Sequence, residues 1–202
     1  MASALFVLVA YLIGSISFAV VVSWVFGLPD PHTYGSGNPG ATNVLRTGKK
    51  GAAMMTLIGD AAKGAAALWL AQQYAPQFGI GEKTLAAVAL AAFLGHLFPL
   101  YFRFRGGKGV ATAAGILLAM DWRVAVTLVL VWVLVSVVSR YSSLAAIVAA
   151  TVSPLAALHF LGWVPMTGAV LVIALLLIWR HRGNIERLLA GNESRIRLSK
   201  RS

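Results

Sequence analysis

The chain has 202 residues, of which 59% are apolar, 11% charged and none cysteine, with a mean hydropathy of +0.81. Soluble domains carry roughly a quarter charged residues, so the polar shell of a water-soluble globule is missing and the composition is that of a membrane protein. The 17 Lys and Arg against 6 Asp and Glu leave a formal net charge of +11. A nucleic-acid binder would spread that charge over a water-facing surface, which so apolar a chain lacks. Without cysteine, disulfide scaffolds, thiolate catalysis and Cys-ligated metal are excluded.

A helix needs about 20 apolar residues to cross roughly 30 Å of hydrocarbon. The first such run, residues 4–26, has no basic leader and no Ala-x-Ala-type cleavage site, so it reads as a retained helix and not a signal peptide. Further runs cover residues 52–72, 84–102, 123–139, 144–161 and 164–179. Val110–Met120, only 11 residues, makes a seventh, short helix of about 16 Å. The expected fold is all-α: a polytopic membrane helix bundle of seven helices, one of them short, forming a single integral-membrane domain over residues 1–202. Trp24, Trp69, Trp132, Trp163 and Trp179 fall near the expected span ends, as interfacial anchors do.

Orientation follows from the basic residues. With the amino terminus outside, the cytoplasmic side receives Arg46, Lys49 and Lys50, then Arg103, Arg105 and Lys108, then Arg140, and finally Arg180, Arg182, Arg187, Arg195, Arg197, Lys200 and Arg201. Lys83 and Arg123 lie outside and Lys63 lies within a span. The bias predicts an outside amino terminus and a cytoplasmic carboxyl terminus. It also accounts for most of the net charge without any binding site, so a functional reading has to rest on residues that topology does not require.

The first loop contains Gly35-Ser36-Gly37-Asn38-Pro39-Gly40-Ala41-Thr42-Asn43, with Arg46 three residues on. Gly35, Gly37 and Gly40 match the G-x-G-x-x-G dinucleotide pattern, but they follow a membrane helix and not a strand of a βαβ unit. The spacing from Gly35 to Gly40 is also that of a P-loop, yet Ala41-Thr42 stands where Lys-Ser/Thr is needed. What survives is the physics beneath both: glycines let successive N–H groups turn toward one anion, and Ser36, Asn38, Thr42 and Asn43 add neutral hydrogen-bonding groups. The third loop repeats the theme as Gly106-Gly107-Lys108-Gly109, opening onto the short helix, whose N-terminal end favours anions. Just upstream, Gly95-His96-Leu97-Phe98-Pro99 puts a histidine near the cytoplasmic end of a span.

The tail starts His181-Arg182-Gly183-Asn184-Ile185-Glu186 immediately below the last span, and residues 185–190 read as an amphipathic interfacial helix. His181 and Glu186 have the spacing of a His-x4-acid pair such as some glycerolipid acyltransferases carry, a spacing too common to build on. Asp60 and Lys63 sit inside an apolar span at i, i+3, where they can pair, and are expected to brace the first loop. Ser142 and Ser143 are expected to cap the following helix, with Ser143 also a ligand contact.

All three polar segments fall on the cytoplasmic side in this topology, so one site is expected to gather them, and two phosphate-holding loops suggest two phosphate-bearing substrates. At this point residues 35–43, residues 106–109 with the preceding Gly95-His96-Leu97-Phe98-Pro99, and His181-Arg182-Gly183-Asn184-Ile185 resemble the three motifs of the bacterial acyl-phosphate-dependent glycerol-3-phosphate acyltransferases of the inner membrane. The resemblance covers nearly the whole chain in order and spacing. It implies transfer of a fatty acyl group from acyl phosphate to the 1-hydroxyl of sn-glycerol 3-phosphate, giving 1-acylglycerol 3-phosphate and inorganic phosphate. It also implies catalytic roles for Ser36, Arg46, His181 and Asn184, and substrate binding by Gly35, Gly37, Asn38, Gly40, Thr42, Asn43, His96, Gly106, Gly107, Lys108, Gly109 and Ser143, with Glu186 architectural. No cofactor, metal, nucleic acid or obligatory protein partner is implied; the partners are acyl phosphate, glycerol 3-phosphate and the lipid bilayer. An acyl phosphate already carries a good leaving group, so positioning, oxyanion stabilisation and a proton acceptor suffice. A transporter of a phosphorylated solute is the second reading, although the polar motifs cluster at one membrane face. A phosphatidyl-group transferase is disfavoured because the D-G-x2-A-R pattern of those enzymes is absent.

Overall fold

In hydrocarbon a backbone N–H or C=O has no water to turn to, so a chain this apolar must satisfy its backbone locally, as helix. The computed structural model describes residues 1–196; Arg197, Lys200 and Arg201 of the basic tail lie outside the described residues. Among the described residues the regular elements are α1 (Ala2–Gly14), α2 (Phe18–Val25), α3 (Ala41–Leu45), α4 (Lys50–Tyr74), α5 (Glu82–Leu97), α6 (Val110–Met120), α7 (Trp122–Ser139), α8 (Ser142–Leu161), α9 (Pro165–Arg180) and α10 (Arg182–Leu189), with two short 3-10 turns and no strand. The fold is therefore all-helical, as expected. Each of the seven anticipated helices is present, the first is broken into α1 and α2, the loop helix α3 is additional, and the helix expected over residues 185–190 is α10, which starts earlier, at Arg182. By length and composition three helices can cross a membrane, or up to five if the bent pairs α1–α2 (42°) and α9–α10 (54°) each count as one span. Helix α4 has 25 residues, about 37 Å, but carries Asp60 and Lys63.

The chain divides into two compact units, Met1–Met120 and Asp121–Ser202. In the first, α4 packs against α1, α2, α3, α5 and α6, while α1 packs along α5. Between membrane helices there is no hydrophobic drive to associate, so small residues and close backbone approach supply the packing. At the α4–α6 crossing a Cβ on Gly115 would overlap the Ala61 carbonyl, so only glycine fits there. Helix α3 is fastened beneath the first loop by Val44, which is fully buried among Ala19, Val22, Ala52 and Ala53, with Phe18 and Leu28 against them.

The break in the first span has a chemical cause and a chemical remedy. Ser15 turns its hydroxyl back onto the Tyr11 carbonyl at 2.8 Å, and residues 15–17 leave the helix before α2 resumes at Phe18. The Ile16 carbonyl, which a continuous helix would have satisfied, accepts instead from Lys63 Nζ. Lys63 in turn pairs with Asp60 Oδ1 at 2.8 Å, one helical turn away, and both side chains are buried. The expected pair is thus present, but it braces the break in the first span and not the first loop.

In the second unit α8 packs between α7 and α9, and α10 folds against α8 and α9. Asp121 caps α7 by accepting the Arg123 N–H at 2.8 Å. The expected Ser142–Ser143 cap of α8 does not form: Tyr141 is the N-cap and no side chain closes it, because the Ser143 hydroxyl is turned elsewhere. Pro154 inside α8 cannot donate to the Ala150 carbonyl, and the Ser153 hydroxyl takes its place at 2.8 Å. Trp132 lies in the middle of α7, not at its end, where Trp122 stands.

Replacing Gly115 by Ala is expected to destabilise the protein by about 1–3 kcal/mol, since the added methyl meets a backbone oxygen that cannot yield. Gly168→Ala in α9, where a Cβ meets nothing within 4 Å, should instead stabilise by about 0.4–1 kcal/mol. Thermal unfolding in detergent micelles distinguishes the two.

Candidate functional site

The first loop owes its shape to Asn43, which is 2% exposed. Its Nδ2 donates to the Pro31 carbonyl at 2.8 Å and the Tyr34 carbonyl at 3.1 Å. Its Oδ1 accepts the Ser36 N–H at 3.0 Å and the Ser36 hydroxyl at 3.3 Å. Both ends of the amide are therefore committed to the loop, so the geometry makes Asn43 a shaper of the loop. Gly35, at φ +60°, lies where a Cβ would overlap Asn43 Oδ1 and crowd the Arg46 side chain. Ser36, Gly37, Thr42 and Arg46 are exposed along this loop, and Asn38 and Gly40 are half-buried.

The third loop lies directly against the first. His32 Nε2 donates to the Arg105 carbonyl at 2.9 Å, while its Nδ1 faces Asp30 Oδ1 at 2.6 Å. Partial burial pushes the Asp30 carboxyl up, but the N–H and ring of His32 outweigh it and hold the group below its ordinary value. Gly107 donates its N–H to the His96 carbonyl at 3.2 Å. A Cβ on Gly107 would overlap His96 Nε2 and sit 2.9 Å from the Pro39 carbonyl oxygen, so two polypeptide segments and an imidazole meet at one glycine. Gly109, at φ +86°, turns the chain into α6, its carbonyl accepting the Ala113 N–H at 2.7 Å. Gly106, Gly107 and Gly109 are buried and Lys108 half-buried. His96 is 7% exposed, and its Nδ1 shares a hydrogen bond with Thr112 Oγ1 at 3.0 Å.

In the second unit the third motif is organised around a residue the sequence reading passed over. His181 closes α9, its buried ring donating Nδ1–H to the Leu177 carbonyl at 2.8 Å, which leaves Nε2 as the basic nitrogen of the neutral ring. Asn184 Nδ2 donates to Glu193 Oε1 at 2.7 Å, the Ser143 hydroxyl donates to the same oxygen at 2.8 Å, and Arg187 Nε donates to Oε2 at 2.8 Å. Burial pushes the Glu193 carboxyl up, but the three donors more than offset it and leave it below its ordinary value. Glu186, expected to be the architectural acid, is exposed on α10. The available signal was Gly191: its left-handed φ of +72° ends α10 and sends the chain back, so an acid two residues later returns to Asn184. His32 was the other omission, and only the fold brings it to Arg105.

A multi-pass helical membrane protein with two glycine-rich loops held side by side is the class that fold and site define. The sequence profile of the glycerol-3-phosphate acyltransferase family matches residues 4–191, and the chain belongs to that family. It is 63% identical over 196 residues to the glycerol-3-phosphate acyltransferase of Cupriavidus necator, covering 97% of each chain. It is 60% identical to that of Ralstonia pickettii, over 96% of this chain and 94% of the relative. The crystal structure of PlsY (YgiH), an integral membrane glycerol 3-phosphate acyltransferase, in its glycerol 3-phosphate form superposes with a TM-score of 0.90 at 39% identity, covering 98% of this chain and 96% of that one. The lysophosphatidic acid form of PlsY gives a TM-score of 0.88.

Two outcomes test this geometry. Asn43→Ala strands the buried carbonyl of Pro31 and the half-buried one of Tyr34, so it should lower stability by about 1–3 kcal/mol and lower acyltransferase activity; thermal unfolding and an acyltransferase assay read both effects. For Glu193 the depressed carboxyl stabilises the folded state fully above its ordinary value of 4.5. That contribution is lost as the pH falls through the lower folded value. Glu193→Gln should therefore lower the melting temperature at pH 7 and blunt the loss of stability below pH 4.5 seen in the parent.

Proposed function

We propose that this protein transfers a fatty acyl group from acyl phosphate to the 1-hydroxyl of sn-glycerol 3-phosphate, releasing inorganic phosphate and forming lysophosphatidic acid, the first acylation step of phospholipid biosynthesis. Its place is the bacterial inner membrane, as one integral-membrane domain with the amino terminus outside and the three motifs on the cytoplasmic side. The observation that carries the reading is the apposition of the first and third loops through His32 and Gly107, since two phosphate-bearing substrates need two adjoining anion cradles. The glycerol 3-phosphate and lysophosphatidic acid forms of PlsY support the acceptor and the product.

The first-loop amides with Gly35, Gly37, Asn38, Gly40 and Thr42, together with Ser36 and Arg46, take the acyl-phosphate head. Gly106, Gly107, Lys108 and Gly109 take the glycerol 3-phosphate, with Asn184 and Ser143 as further contacts. The hydroxyl oxygen of the acceptor bonds to the acyl carbon, the carbonyl electrons move onto oxygen, and Ser36 and Arg46 stabilise that charge. Collapse of the oxyanion breaks the acyl carbon–oxygen bond to phosphate, which departs with the bonding pair. His181 Nε2 is the candidate acceptor of the hydroxyl proton, a role that its Nδ1–H donation to Leu177 prepares, with the substrate's own phosphate as the rival acceptor.

Purified protein in detergent, given acyl phosphate and glycerol 3-phosphate, should release phosphate and lysophosphatidic acid without added metal. No phosphate release with either acyl phosphate or acyl-CoA would instead favour transport of a phosphorylated solute. His181→Gln should lower kcat by about 10²–10⁴; near-normal turnover at saturating substrate would exclude a required histidine base. Lys108→Met should raise KM for glycerol 3-phosphate by about 10- to 100-fold, the loss expected for a charge-assisted hydrogen bond to phosphate.

A further inference from the structure

Four polar side chains are buried between α4, α5 and α6: Asp60 at 3%, Lys63 at 4%, His96 at 7% and Thr112 at 0% exposure. Ionisable groups in a membrane span are costly and are retained where they do something. Lys63 is accounted for by the Ile16 carbonyl and Asp60 in part by Lys63. The same Asp60 oxygen, however, also lies 3.6 Å from His96 Nδ1, the nitrogen that shares a hydrogen bond with Thr112 Oγ1. His96 touches the third loop twice, its carbonyl accepting the Gly107 N–H and its Nε2 edge filling the space where a Gly107 side chain would stand. A continuous run of contacts thus leads from α4 and α6 through one imidazole to the backbone immediately before Lys108.

We infer that Asp60 and Thr112 are positioning residues for the glycerol 3-phosphate loop, acting through His96. The carboxylate and the hydroxyl fix the imidazole from its Nδ1 side, and the fixed ring and the His96 carbonyl then set where Gly107 lies, and with it Lys108 and Gly109. A displacement of this loop by about 1 Å is enough to forfeit much of its binding. The first loop is shaped by Asn43, which is not a member of this run. This rests on the assignment of the 106–109 loop to glycerol 3-phosphate proposed above.

The test compares Thr112→Val, Thr112→Ser and the charge-neutral double variant Asp60→Asn with Lys63→Gln, which leaves a donor for the Ile16 carbonyl. Thr112→Val and the double variant should raise KM for glycerol 3-phosphate by about tenfold or more, with kcat and KM for acyl phosphate changed less than about threefold, the pattern of lost ground-state binding to one substrate. Thr112→Ser should restore the parent values. Stabilisation of the purified protein by glycerol 3-phosphate alone, read as a melting shift in detergent, should persist in Thr112→Ser and disappear in Thr112→Val. A folded Thr112→Val with parental KM, or equal losses for both substrates, overturns the inference. If the parent itself turns over no acyl phosphate, the proposed reaction fails and the melting shift alone decides: loss confined to Thr112→Val and the double variant upholds the role, whereas a parental shift in Thr112→Val, or no shift in any form, refutes it.

Discussion

A carbonyl oxygen with no hydrogen-bond partner is not tolerated in hydrocarbon, and the fold of residues 1–120 is arranged around one such group. Because the first span breaks at Ser15–Ser17, the Ile16 carbonyl must be satisfied from outside its own helix, and Lys63 does so. A buried ammonium then requires a carboxylate, which Asp60 supplies one turn away. Each step follows from the cost of the one before it, and together they bind the broken span to α4 where packing by small residues alone would leave the register loose. The close backbone contacts of α4 with α6 complete this frame.

The two loops use little charge of their own. Asn43 gives the first loop its curvature by filling both ends of a single amide, an arrangement that needs glycine at position 35 because any side chain would take the amide's place. The third loop is fixed by contact and not by charge: His96 fills the space beside Gly107, and Pro39 closes it from the first loop. In the proposed topology most basic residues serve orientation, so in the proposed reaction recognition of anionic substrates falls to oriented backbone and neutral polar groups with Arg46 and Lys108 among them.

Residues 121–196 solve a different problem, that of holding two polar side chains just beyond the end of a span. Glu193 does this by gathering Ser143, Asn184 and Arg187 onto one carboxylate. A neutral group of the same shape could not accept from three donors at once. The return of the chain at Gly191 is what delivers it.

The helical class, the short α6, the broad positions of the spans and the membership of the three motifs were all legible in the amino-acid order, because apolar runs and glycine spacing are local quantities. The likeness of residues 35–43, 106–109 and 181–185 to a known family made the family legible as well. Tertiary structure alone decided the rest: that the first span is broken, that Asn43 serves the loop, that Ser143 serves Glu193 and not a helix cap, and that Asp60 faces His96 as well as Lys63. Each of these depends on partners far apart in the chain, such as Lys63 with Ile16, His32 with Arg105 and Ser143 with Glu193. Sequence periodicity records which face of a helix is apolar, but a hydrogen bond between distant residues exists only once the helices have packed.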